Sequence, residues 1–149
     1  MSAESFSARV DALMKKHCWL VDYLPESTGK RVSGQYFKVE AYILNHFDEL
    51  GFRARISNVL LKLMCCRRVQ TDWGGWSEDP APEKVMEAVR EIMVNHSGTL
   101  NLLLPEDDAL VVFEWDTLSV RVYHPDGKLR RLMEDIAASE GMSWHREDK

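Results

Sequence analysis

Three apolar runs near the end of the chain constrain its fold more than any other feature: TLNLLLP (99–105), ALVVFEWD (109–116) and LSVRVYHP (118–125). Each is rich in β-branched, aromatic or aliphatic residues and has the length of a strand. The steps between them, PEDD and DT, are far shorter than the dozen or more residues that a parallel crossover needs. The three runs are therefore expected to form an antiparallel meander.

Segments with helical periodicity surround it. Phe6, Val10, Leu13 and Met14 predict an amphipathic helix over 4–17, and Phe52, Ile56, Val59, Leu60 and Leu63 predict a buried central helix from Asp48 to about Cys65. Val85, Val89 and Ile92, with Met86 and Met93 beside them, predict a third helix that ends at NHSG, where Gly98 takes the left-handed conformation. Leu129, Leu132, Met133 and Ile136 predict a fourth, capped by Asp126 and closed by Gly141. CWLVDYLP (18–25) and RRVQTDW (67–73) read as strands, and MSWHRED (142–148) offers a last one. ESTGKRVSG (26–34) reads as a loop. QYFKVEAYILN (35–45) fits two templates: Phe37, Val39, Ala41 and Ile43 alternate as in a strand, while Phe37, Ala41 and Leu44 also align on a helix. The strand is preferred. The expected fold class is α+β: a mainly antiparallel sheet, the C-terminal three-strand meander plus N-terminal strands, packed by about four helices in a single two-layer domain over 1–149.

With 149 residues, 45% of them hydrophobic, one ordinary core can form without disulfides or metals. No apolar run approaches the ~20 residues of a membrane helix, and the first residues lack the pattern of a signal peptide, so a cytoplasmic location with no membrane partner is expected. Cys18, Cys65 and Cys66 lack CxxC spacing and a nearby His at ligand spacing. They are expected to be free thiols, the adjacent pair buried at a helix end, with no metal and no cofactor. The loops GxxxxGK[ST] and GxSxG and the zinc motif HExxH are all absent.

Charge divides unevenly along the chain. Residues 1–75 carry 11 Lys/Arg against 8 Asp/Glu, and residues 76–149 carry 8 against 16, so the net −5 is the balance of a +3 half and a −8 half. That disfavours a polyanion as a partner of the second half and favours steering of a basic protein toward it. Arg53, Arg55, Lys62, Arg67 and Arg68 lack the interleaved aromatic residues of single-strand binders, so nucleic acid is not expected.

Two places draw attention as sites. TDWGGWSEDPAP (71–82) suggests a strand running into a tight turn at Gly74 and Gly75, with Trp73 and Trp76 facing each other across it and Asp79 capping a helix whose first residue is Pro80. Trp73, Trp76, Glu78 and Asp79 then offer aromatic surface beside negative charge, as interfaces favour. Glu114 and Asp116, two apart on one strand face, form either an acid/base or cation-binding pair or the solvated side of a half-buried sheet, with Arg121 and His124 on the neighbouring strand to offset their charge.

These readings lead to a small, acidic, bacterial-type protein-interaction module without catalytic activity, with a protein partner of basic character. Small immunity proteins and secretion chaperones are analogues in size, charge and class only. One alternative is a small enzyme or ligand-binding domain whose site gathers scattered residues such as Asp22, Glu40, Glu114 or His124. The other is a structural domain that self-associates as a homodimer.

Overall fold

The computed structural model describes residues 3–25, 33–115 and 119–147. Its elements are α1 (Ala3–Leu13), β1 (Cys18–Asp22), α2 (Ser33–Asn45), α3 (Phe52–Cys66), β2 (Gln70–Thr71), β3 (Ser77–Glu78), α4 (Pro82–Asn95), β4 (Thr99–Leu104), β5 (Ala109–Glu114), β6 (Ser119–Tyr123), α5 (Lys128–Ser139) and β7 (Ser143–Arg146). The fold is α+β, and the expected meander is its centre. Seven strands form one sheet in the order β3-β2-β4-β5-β6-β1-β7, with every neighbouring pair antiparallel. β1 lies between β6 and β7, so the first and last strands of the chain close one flank of the meander.

Period-2 alternation sorts the side chains of this sheet. Leu100, Leu102, Leu104, Val111, Phe113, Val120 and Val122 point to one face, where they meet the predicted stripes of α3, α4 and α5 in the main core. Ile56, Val59, Leu60 and Leu63 of α3 and Val85, Val89, Ile92 and Met93 of α4 are all buried there. The alternate residues Leu103, Leu110, Val112 and Tyr123 point to the reverse face. There α1 covers them with Phe6, Val10 and Leu13, which adds partial cover outside the sheet-and-helix pair.

Helix ends show where local rules hold. Gly141 stands at φ 70 just past α5; its N–H reaches the Ala138 carbonyl (3.1 Å) and the Met142 N–H reaches that of Ala137 (2.9 Å). This is the two-bond glycine stop expected from the sequence, with Met142 folded back into the core. Three other expectations need correction. α4 starts with Pro82 at its first position after Ala81, not with Pro80 after Asp79, because Asp79 is engaged by Arg68. At the far end of α4 the left-handed cap residue is His96 (φ 56), with Gly98 at φ 108 two residues on. Gly127, not Asp126, precedes α5, because the Asp126 carboxylate faces His124, His17 and Arg130.

The largest correction is α2, which is a helix and not the preferred strand. Local pairs at i, i+4 decide it: the Tyr36 hydroxyl donates to Glu40 Oε2 at 2.7 Å, Asn45 donates to the Ala41 carbonyl, and the rings of Tyr42 and His46 stack at 4.1 Å. A strand cannot make these contacts. Only Ile43 of α2 is buried among its described side chains, against Phe52 with Tyr23, Leu44 and Phe47 around it.

Core and periphery should therefore respond differently to truncation. Leu102→Ala, at a fully buried site on β4, is expected to lower the unfolding free energy by about 2–5 kcal/mol in urea titrations. Val39→Ala on the exposed side of α2 should change it by less than about 0.5 kcal/mol.

Candidate functional site

The hairpin from TDWGGWSEDPAP has the expected turn but not the expected aromatic pair. Gly74 and Gly75 both have positive φ (65 and 101), and the Gly75 N–H closes the turn on the Asp72 carbonyl at 3.1 Å. β2 and β3 are only two residues each, so the strand expected over 67–73 is confined to Gln70–Thr71. Trp73 packs against the main core on the helix side, whereas Trp76 packs against the α1 cluster on the reverse side. The two indoles therefore lie on opposite faces of the sheet and do not face each other. Each is half-buried in the fold's own packing.

The neighbouring carboxylates are also engaged. Asp79 Oδ2 accepts from the Arg68 guanidinium at 3.0 and 3.2 Å, Asp79 Oδ1 accepts the Val69 N–H at 3.3 Å, and Glu78 lies 3.8 Å from Arg68. This clamps β3 to the start of β2. The other residues of the positive patch behave alike: Arg53 pairs with Asp48 (2.9 Å), Arg67 with Asp107 (2.9 Å) and Lys62 with Glu140, while Arg55 lies over the Phe52 ring. The pairs leave little of the positive patch that the sequence suggested.

Glu114 lies on the reverse face of the sheet, where the Thr99 hydroxyl contacts it at 3.4 Å, and Asp116 falls outside the described residues. Arg121 is paired with Glu147 at 3.6 Å, and His124 with Asp126 at 3.1 Å. Glu40 is bonded to Tyr36 on α2. The structure brings Asp22 together with a residue that sequence reasoning did not single out: His145 Nε2 lies 3.1 Å from Asp22 Oδ2, across 123 positions of chain. The register places Ser119 and Ser143 on either side of Asp22. A carboxylate can orient an imidazole for base catalysis, but His145 Nδ1 faces the Arg146 carbonyl at 3.4 Å instead of a nucleophile. Asp22 is 5% exposed, and its other oxygen accepts the Leu24 N–H. The pair joins β1 to the edge strand β7.

Thiol positions differ from the expectation for the adjacent pair. Cys65 and Cys66 are exposed at the end of α3, while Cys18 is buried under α1. Burial pushes the Cys18 thiol from its ordinary 9.0 up to about 12, and the negative charge of Glu147 adds to the rise. Among the described residues no group of three or more His, Cys, Asp and Glu side chains could hold a metal ion, and no helix is long and apolar enough to cross a membrane.

Unspent apolar surface lies instead on α2. Phe37 is 62% exposed and Tyr42 is 57% exposed, with Val39 and Leu50 also exposed. Val39, Tyr42 and His46, spaced i, i+3 and i+7, form one stripe, and Phe37 and Leu44 line the opposite flank of the helix. Tyr36 meets Phe37 edge to face at 5.4 Å. The signal for this surface was present in the sequence as the i, i+4 pairs Tyr36/Glu40 and Tyr42/His46, which alternation obscured.

No known protein family, curated protein or solved structure matches the chain.

The thiols give a direct test of the site geometry. At neutral pH a thiol reagent should titrate two cysteines of the native protein rapidly and the third only after denaturation. Because the folded-state pKa of Cys18 is raised, its contribution to stability is complete below about pH 9 and is lost as pH climbs toward 12, where the unfolded chain releases the proton first. The Tyr123 hydroxyl, raised in the same direction by burial, adds to that slope. Alkaline unfolding curves should be flatter for Cys18→Ala.

Proposed function

We propose that this protein is a non-catalytic protein-interaction module that docks a partner through α2. The observation that carries the reading is the exposure of Phe37 and Tyr42 on a helix that, among its described side chains, buries only Ile43 in its own fold. Large aromatic side chains are the residues most enriched among interface hot spots. More than half of each side chain is still in water, so a partner that covers them gains part of the roughly 1.5–3 kcal/mol that full burial of a large apolar side chain contributes. The stripe of Val39, Tyr42 and His46, at i, i+3 and i+7, suits a partner that offers an apolar groove, with Phe37 on the opposite flank meeting the groove's rim.

Charge adds to the choice of partner. The half of the chain after residue 75 carries −8, and acidic residues also flank the α2–α3 turn at Asp48 and Glu49. Association with a basic protein is then accelerated at low salt.

Capture at low salt should recover a stoichiometric protein partner with the native chain and lose it with the double variant Phe37→Glu/Tyr42→Glu, while the melting temperature stays within the range of surface changes. Truncation of either aromatic to Ala should weaken binding by at least about tenfold. Undiminished capture by the double variant would refute docking through α2. A doubled mass in light scattering that this variant abolishes would put a second copy of the chain in place of the partner.

A further inference from the structure

A cavity of about 840 Å³ opens at one end of the sheet, between the α1–β1 connection and the end of β7. Its volume lies within the range of small-molecule sites. Lys15, Lys16 and His17 line it from the connection, Arg146 from β7, and Tyr123 and Cys18 from the sheet.

The cations around this cavity differ from most others in the molecule. Arg9, Arg53, Lys62, Arg67, Arg68, Arg90, Arg121 and Arg130 each face a carboxylate. Lys15, Lys16 and Arg146 make no ion pair among the described residues. Among the described residues the cavity's one carboxylate, Glu147, is turned to Arg121 at 3.6 Å, and its backbone N–H is held by the Cys18 carbonyl at 3.0 Å. Three positive charges thus border one concave space in a chain whose net charge is −5.

A purely structural account covers only part of this. Lys15 and Lys16 follow the C-terminus of α1, where cations complement the exposed carbonyls. Arg146 arrives from the other end of the sequence and has no such role. Like charges gathered around a cavity repel one another, and a bound anion would relieve that repulsion. The aromatic face of Tyr123 and the apolar stem of Met14, which also lines the space, suit the body of an organic molecule.

We propose that this cavity binds a small organic anion, with Lys15, Lys16 and Arg146 holding a phosphate or carboxylate head and Tyr123 and Met14 contacting its apolar body. The proposal is independent of docking through α2.

Amide NMR titration of the full chain with phenyl phosphate, phenylacetate and inorganic phosphate tests it. The expected result is saturable binding of at least one organic anion with a Kd of about 1 mM or lower, with shifts confined to residues 14–18, 123 and 146–147. Tighter binding by phenyl phosphate assigns a phosphate head, and tighter binding by phenylacetate a carboxylate; inorganic phosphate alone should bind more weakly than the better of the two. Lys15→Glu and Arg146→Glu should each weaken binding by about tenfold or more, whereas Lys38→Glu on α2 should not. If a charge reversal fails to fold, Lys15→Gln and Arg146→Gln carry the test with a smaller loss. Shifts that do not saturate by roughly 10 mM, or saturable binding that Arg146→Glu and Lys15→Glu leave unchanged, would overturn the proposal. So would an oligonucleotide that outcompetes every small anion at this site.

Discussion

Burial of β5 on both faces is the constraint from which the rest of the architecture follows. Every residue from Ala109 to Phe113 is buried, which requires a layer on each side of the strand. Val111 and Phe113 are covered by the helical layer, and Leu110 and Val112 by α1. Because the residues are apolar in succession, this strand cannot stand at an edge or face water, and β4 and β6 must flank it. β1 then joins β6, β7 joins β1, and the short β2–β3 hairpin finishes the other flank. The paired edges carry the polar contacts, Asp22 with His145 on one side and Arg68 with Asp79 on the other.

Long-range ion pairs explain most of the places where local reading fails. Asp79 and Asp126 are both good N-cap residues, yet Asp79 faces Arg68 and Asp126 faces His17, His124 and Arg130, and their helices start without a side-chain cap bond. Asp79 loses no backbone partner by this, because its Oδ1 accepts the Val69 N–H while Oδ2 pairs with Arg68. The same competition leaves the arginines of the first half largely neutralised. No spacing rule could have joined Asp22 to His145, because their contact exists only once β1 has paired with β7.

Where side-chain period and burial agree, the sequence is legible. The stripes of α1, α3, α4 and α5, the meander and the Gly141 stop all follow from patterns a few residues long that the tertiary structure reinforces. α2 is the exception, because it is barely reinforced at all. Its apolar residues are mostly exposed, so their order in the sequence carries no record of a buried face, and the alternation of Phe37, Val39 and Ala41 misleads. The Trp73–Trp76 pair fails for a related reason: the turn was legible, but the side of the sheet to which each indole passes depends on strand register.

On this account the molecule consists of a sheet whose central strand β5 is buried on both faces, with α2 attached to it as an element whose free surface is available for recognition. Site-resolved amide hydrogen exchange tests that division most directly. Amides of β4, β5 and β6 should exchange only through global unfolding, and those of α2 through local opening at least about 2 kcal/mol easier. Protection of α2 equal to that of β5 in the isolated protein would contradict the account, since it would make α2 part of the core rather than a helix that awaits a partner.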